Sequence, residues 1–340
     1  MLDLLKIDDN VLSQTMRLLK AEFVARGWNA EIPYAGSQHV FIDRGDDKTI
    51  HIFNSAPPTT SFAAGLLAND KYGVYELMRK NGVLQPDTIM VSAGKKDSLE
   101  KAKNFLTEHS KVVVKPLDGG HGNGVAVGIN TEEKLKNSIF RAAQYNRGNS
   151  SRVIIQKMLD GDLLDIRIMC INYEFAGAIN RVPAGVIGDG EHTIAELIEI
   201  ENNTIRGKAY HAKLARINLD EVSRYLGDEI EKIPASGVEA RVLGVANYGR
   251  GGKLIDVTDD IPEWMRHEAE LAAKSCGLAV CGVDYLTDKI GKDSMRDSMT
   301  AYLIEVNKSP ILSIHDMPTV GKNRNVVRKF VDYLDTMESK

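Results

Sequence analysis

A lysine at the end of an apolar run, followed closely by glycines, is the first stretch of this chain that could do chemistry. Val112-Val113-Val114 is β-branched and reads as a buried strand. Lys115 comes next, and four of the six residues in Gly119-Gly120-His121-Gly122-Asn123-Gly124 are glycine. Glycine lets backbone N–H groups approach a ligand closely and adopt positive φ. Successive N–H groups in such a loop make a concavity for an anion. With a lysine beside it, the natural guest is a polyphosphate. Taken alone, the glycine pattern fits a plain turn equally well. A second stretch changes the balance. In Ala301-Tyr302-Leu303-Ile304-Glu305-Val306-Asn307, Glu305 and Asn307 stand two apart on a strand-like run, so both face one side. A carboxylate and an amide oxygen placed that way suit Mg²⁺, which takes one or two carboxylates plus substrate phosphates. Cys281-Gly282-Val283-Asp284-Tyr285 adds Asp284 as a second acidic strand position. Either acid alone is commonly a solvated surface group, and a buried one without a partner would be costly. Two carboxylates this close would repel without a cation, so one of them is expected to have a raised pKa. Lysine, loop and acids together make a coherent site for a metal-bound nucleotide.

Lys115 to Val125, Gly282-Val283-Asp284 and Ile304-Glu305-Val306-Asn307 resemble the ATP-grasp superfamily of ATP-dependent carboxylate–amine ligases. Asn180-Arg181-Val182-Pro183-Ala184 and Val186 to Ile194 are similar to one branch of it, the ATP-grasp module of cyanophycin synthetase and of the bifunctional glutathione-synthesising enzymes. Glu199 to Asn202, Ile255 to Asp259 and Ser309 to His315 continue the likeness in the same order, over about residues 66 to 334. The resemblance implies an α+β or α/β chain with the ATP-grasp fold, two α+β lobes gripping ATP, and amide-bond formation through an acyl phosphate. It implies ATP and Mg²⁺, with two ions expected and Mn²⁺ able to substitute. Lys71 and Lys115 would hold phosphates, with Gly119, Gly120, His121, Gly122, Asn123 and Gly124 folding over them. Gln156 and Lys157 would lie at the adenine. Asp162 and Asp165 compete for the ribose, and the spacing of Asp165-Ile166-Arg167 favours Asp165. Arg181 and Arg167 would face the reacting groups, and Asp284, Glu305 and Asn307 would hold the metal.

Positioning such a site needs a definite order of elements. Residues 1–65 read as a small N-terminal α/β domain, with a helical stripe over 10–26 and strands at 29–32, 39–42 and 49–53. Residues 66–158 read as a small lid lobe with a leading helix over 71–80. A lysine at the start of that helix is disfavoured by the macrodipole, which mildly supports a functional Lys71. Strands follow at 88–91, 112–115, 125–129 and 153–158, with helices at 98–108 and 132–145. Residues 159–340 read as the large lobe carrying the metal site. It has a hairpin at 166–171 and 174–179, a capping box at Thr193 and Glu196, a strand at 242–246, and helices at 263–276 and 325–337. The glycine-rich stretch after 246 could close over the reacting centre, and His315 divides evenly between a substrate contact and a structural hydrogen bond.

Composition bounds the rest. A chain of 340 residues has room for two or three subdomains. A net charge of −4 gives no general pull toward nucleic acid or anionic membranes. No apolar run approaches the roughly 20 residues that span a bilayer. The N-terminus has no signal-peptide pattern. Cys170, Cys276 and Cys281 form no CxxC pair and fit reduced thiols in a cytoplasmic protein. The expected partners are small amino-acid or peptide substrates, with no nucleic acid, no membrane and a homo-oligomer left open. Two other readings stand beside the ligase of small molecules. One is an ATP-grasp ligase that modifies a peptide or protein, and the other is a nucleotide-binding protein without catalysis.

Overall fold

The structure, a computed structural model, describes residues 1–45, 49–120, 122–147, 150–207, 213–244 and 246–337. The chain begins with a four-stranded antiparallel sheet, ordered β1 (Leu2–Asp3), β2 (Asn29–Ile32), β3 (His39–Asp43) and β4 (Thr49–Phe53), and one helix, α1 (Gln14–Arg26). The helix starts later than the apolar stripe suggests. Ser13 is its N-cap, its Oγ accepting from the Met16 N–H at 3.3 Å, and the residues before it form a short 3₁₀ turn. A small sheet with one helix cannot cover its own apolar face. Phe23, Ile42 and Ile52 accordingly share a core with Ile171 from mid-chain and with Val280, Phe330 and Leu334 from its last quarter.

Two helices follow, α2 (Phe62–Leu67) and α3 (Lys71–Lys80). Val74 and Met78, four apart on α3, pack against Ile166, Ala269 and Tyr285. The leading helix therefore sits on the large lobe rather than in the lid. The lid itself is an antiparallel sheet, ordered β5 (Thr88–Ser92), β8 (Arg152–Lys157), β6 (Val112–Pro116) and β7 (Ala126–Ile129), backed by α4 (Lys96–His109) and α5 (Glu132–Ala143).

The large sheet is ordered β13 (Lys253–Asp256), β10 (Glu174–Val182), β9 (Leu164–Ile171), β14 (Val280–Thr287) and β15 (Ala301–Asn307). Alternation sends Ile166, Ile168 and Cys170 to the face covered by α8 (Glu263–Cys276), and Met169 and Ile171 to the core shared with the N-terminal sheet. The helices α9 (Ser313–Asp316) and α10 (Val326–Asp335) close that second face. A side unit joins the short strands β11 (Gly185–Ile187) and β12 (Glu239–Arg241) with α6 (Ile194–Thr204) and α7 (Leu219–Leu226) around its own apolar cluster. The capping box at Thr193 and Glu196 opens α6 as expected. The strand expected at 242–246 instead ends at Arg241, because Val242 and Leu243 turn inward to fill that cluster. The glycine-rich stretch after it is tied to the side unit: the Gly251 carbonyl accepts from the buried Arg206 guanidinium at 2.8 Å.

Candidate active site

Asp70 caps α3, its Oδ1 accepting from the Tyr72 and Gly73 N–H groups at 3.1 and 2.8 Å. That cap fixes the backbone of the next residue and points Lys71 across the gap between lid and large lobe. Lys71 Nζ donates to the Gly119 carbonyl at 2.8 Å and lies 3.0 Å from Glu305 Oε1. One ammonium thus touches both the glycine loop and the Glu305 carboxylate on β15. Lys115 reaches the same cleft from β6, with Nζ 2.8 Å from Gln156 Oε1. Burial pushes its ammonium down to about 8; the Glu305 carboxylate opposes this and the Lys71 charge adds to it. The cleft has a volume of about 140 Å³ and is lined by both lysines, Gln156, Glu305 and, from the loop, Gly119, Gly120, Gly122 and Asn123. Gly124 ends the loop at φ +72, where a Cβ would meet the Tyr145 ring at 2.7 Å, so only glycine fits. His121 lies outside the described residues.

The acids and arginines are set by strand register. β14 puts Asp284 opposite Arg167 on one neighbour and opposite Glu305 on the other, and the β9–β10 hairpin puts Arg181 opposite Asp165. Asp284 is gripped by Arg167 through Nε and through Nη2 at 2.9 Å, and by Arg181 Nη2 at 3.1 Å. Asn307 Nδ2 lies 3.3 Å from its Oδ2. Burial pushes Asp284 up, but the two guanidinium charges outweigh it and hold the carboxyl below the usual range. The expectation of two repelling metal-strand acids, one with a raised pKa, is therefore overturned. Each acid has its own cation, Arg167 and Arg181 for Asp284 and Lys71 for Glu305. The raised carboxyl of this cluster is Asp165, pushed up by burial and by the Asp284 charge against the pull of Arg181.

Oxygen donors from Asp284, Glu305 and Asn307 on neighbouring strands fit a hard divalent cation. Among the described residues no group of three or more His, Cys, Asp or Glu could hold a metal, so the remaining ligands would be phosphate oxygens and water.

Several expected residues lie in other settings. Asp165, favoured for the ribose, has its Oδ1 bonded by Arg181 Nε at 3.1 Å, because the hairpin register sets the two opposite each other. Gln156, expected at the adenine edge, has both ends of its amide taken: Oε1 by Lys115, and Nε2 donating to Thr88 Oγ1 at 3.0 Å. Lys157 ends β8 and is not among the residues lining the cleft; its N–H donates to the Asp87 carbonyl at 2.8 Å. His315 is fully buried with neither ring nitrogen partnered, and burial pushes it down to about 3. It makes no hydrogen bond of the kind weighed for it. Thr88, which anchors Gln156, carries no signal in the sequence, where it reads only as a β-branched strand residue.

Comparison with known proteins agrees with this geometry. Residues 82–201 match the family described as prokaryotic glutathione synthetase, ATP-grasp domain. Cyanophycin synthetase from Crocosphaera subtropica is 34% identical over 281 residues, covering 80% of this chain and 31% of that protein. A glutathione biosynthesis bifunctional protein from Clostridium perfringens is 29% identical over 304 residues, covering 86% of this chain and 38% of that protein. The chain thus spans about a third of the length of these relatives. The crystal structure of a bifunctional glutathione synthetase from Pasteurella multocida superposes with a TM-score of 0.67 at 26% identity, over 94% of this chain and 43% of that one. With two lobes, a glycine loop and paired cations and acids between them, this chain has the ATP-grasp fold and belongs with the ATP-grasp proteins.

Proposed function

We propose that this chain is an ATP-dependent carboxylate–amine ligase that joins an amino acid or small peptide to an amine through an acyl phosphate. The observation that carries the reading is the meeting of Lys71, Lys115, the glycine loop and Glu305 in one cleft between the lobes. A substrate carboxylate attacks the γ-phosphorus of ATP, and ADP leaves. The amine then attacks the acyl carbon, and phosphate leaves from the tetrahedral intermediate. Lys115 and Lys71 bind the phosphates as point charges, and the loop N–H groups wrap them and exclude water. Arg181 and Arg167 offer planar forks to the transferring group and the substrate carboxylate. Asp284, Glu305 and Asn307 would hold Mg²⁺, two ions by this reading with Mn²⁺ able to replace them, which supplies charge neutralisation at the phosphates. No helix among the described residues is long and apolar enough to cross a membrane. Three free buried cysteines support a cytoplasmic setting. The test is ADP release from MgATP across a panel of amino acids and dipeptides. Release should require one carboxylate and one amine together and should be abolished in a folded Lys115→Ala variant. No release above background with any pair would sink the ligase reading.

A further inference from the structure

The lid sheet carries a row of polar side chains that ends on Lys115. Val112, Val114, Val153 and Ile155 go to the core under α4 and α5. Alternation therefore turns Lys115 and Gln156 to the other face, where they line the cleft together with Thr88. Pairing of β5 with β8 sets Thr88 directly opposite Gln156. Pairing of β8 with β6 sets Gln156 opposite Val113, diagonal to Lys115. Lys115 Nζ donates to Gln156 Oε1 at 2.8 Å, Gln156 Nε2 to Thr88 Oγ1 at 3.0 Å, and Thr88 Oγ1 to the Pro86 carbonyl at 2.8 Å.

Both ends of this row fix its direction, because an ammonium only donates and a carbonyl only accepts. The single Thr88 hydroxyl proton is committed to Pro86, so the Thr88 oxygen accepts, and it takes the amine end of the Gln156 amide. The carbonyl end is left for Lys115. Thr88 and Gln156 are both buried. A buried ammonium is costly without a hydrogen-bond partner. The Gln156 carbonyl supplies one without cancelling the charge, and it is the only hydrogen bond of the Lys115 side chain among the described residues. The other ammonium donors remain for phosphate oxygens. With the amide turned over, Nε2 would face the ammonium, donor against donor. The row also has a footing outside the lid: the Leu84 carbonyl, two residues before Pro86, accepts from the Leu303 N–H of β15 at 3.0 Å.

We propose that Thr88 and Gln156 are positioning residues for Lys115: the Thr88 hydroxyl locks the Gln156 amide with its carbonyl toward the ammonium, so that Gln156 serves the phosphates through Lys115 rather than reading the base. The assignment rests on the reading of the cleft as a nucleotide site.

The test is MgADP affinity, measured by calorimetric competition on the full chain. Thr88→Val keeps the β-branched shape and removes the hydroxyl, and Thr88→Ser keeps the hydroxyl. The valine variant should bind MgADP about five-fold or more weaker than the parent, and the serine variant within about two-fold of it. In a Lys115→Met background, where no ammonium is left to position, Thr88→Val should change affinity by less than about two-fold. No loss in Thr88→Val, an equal loss in Thr88→Ser, or a loss that keeps its full size without Lys115 would overturn the lock. The lock is also read without nucleotide. By NMR, the Gln156 side-chain amide protons should exchange slowly in the parent and in Thr88→Ser, and faster in Thr88→Val. Equal rates in all three would overturn it as well. A parent chain with no affinity for MgADP would overturn the ligase reading instead, and the amide protons would still decide the lock.

Discussion

Lys115 illustrates how one residue carries two opposed demands. Burial in the cleft disfavours its charge, and phosphate binding requires that charge. Its folded value of about 8 lies below the ordinary 10.5. Between those values the unfolded chain holds a proton that the folded chain lacks, so Lys115 makes stability rise with pH across that window; below about 8 the cost of burying the charge is present in full. Binding has the opposite sign. Affinity for MgADP should fall as pH rises through about 8, by up to about ten-fold between pH 7 and 9, as the charged fraction falls. In Lys115→Arg, whose guanidinium stays charged, the profile should be flat, and a profile equally steep in both would exclude Lys115 as the titrating group. The charged residues at the cleft were legible in sequence because each breaks a local rule. Lys115 follows an apolar run, Lys71 sits at the wrong end of a helix, and Glu305 and Asn307 interrupt a strand. Their partners were not legible. Lys71 meets Glu305 across 234 positions of sequence, and Arg167 meets Asp284 across 117, through registers that no local pattern encodes.

At the scale of the element, the glycine loop is fixed at its two ends. Gly119 is tied through its carbonyl to Lys71, and Gly124 is wedged against Tyr145 and Pro116. At Gly124 both the positive φ and the missing Cβ matter. Gly124→Ala would face a ring atom at 2.7 Å in a conformation that L residues rarely adopt. The loop must then shift, at a cost of order 1–3 kcal/mol. The substitution should reduce MgADP affinity ten-fold or more, with global stability little changed, because the loop lies outside the lid core. Hydrogen exchange localises the effect: parent loop amides should slow on adding MgADP, and those of Gly124→Ala should not. Equal slowing in both would remove Gly124 from the lid. Periodicity located most helices and strands to within a few residues because their caps are written locally, as at Asp70, Thr193 and Gly277. It failed where packing decides. Val242 and Leu243 look like the start of a strand but plug a cluster, and α3 joins the large lobe because Val74 and Met78 have their apolar partners there.

For the whole molecule, the charges at the cleft are already paired with one another. Lys71 bridges lid and large lobe through Gly119 and Glu305, and Arg167 and Arg181 neutralise Asp284. The cleft of about 140 Å³ is smaller than the roughly 300 Å³ at the low end of ligand sites, so a nucleotide binding there is expected to widen it. Phosphates arriving alone would draw Lys71 away from Glu305 and Arg181 from Asp284, leaving Glu305 without a cation and Asp284 with Arg167 alone. A divalent cation arriving alone meets acids already neutralised. Arriving together, the cation takes the acids and the phosphates take the lysines and arginines, so every charge keeps a partner. Metal and nucleotide should therefore bind cooperatively. Calorimetry should show ADP binding at least ten-fold tighter with saturating Mg²⁺ than with a chelator, and linkage requires nucleotide to tighten metal binding by the same factor. Glu305→Gln gives the sharper test, because it removes a metal ligand and also frees Lys71. Metal-free ADP should bind this variant as tightly as the parent or tighter, and the coupling should fall to within about two-fold. The ion pair lost is partly exposed, with side chains 18% and 32% accessible, so apo stability should drop by no more than about 1 kcal/mol. An expectation from two repelling acids would have it hold or rise. Undiminished coupling in Glu305→Gln, or metal-free ADP binding weakened along with it, would show that Glu305 neither restrains Lys71 nor meets the cation.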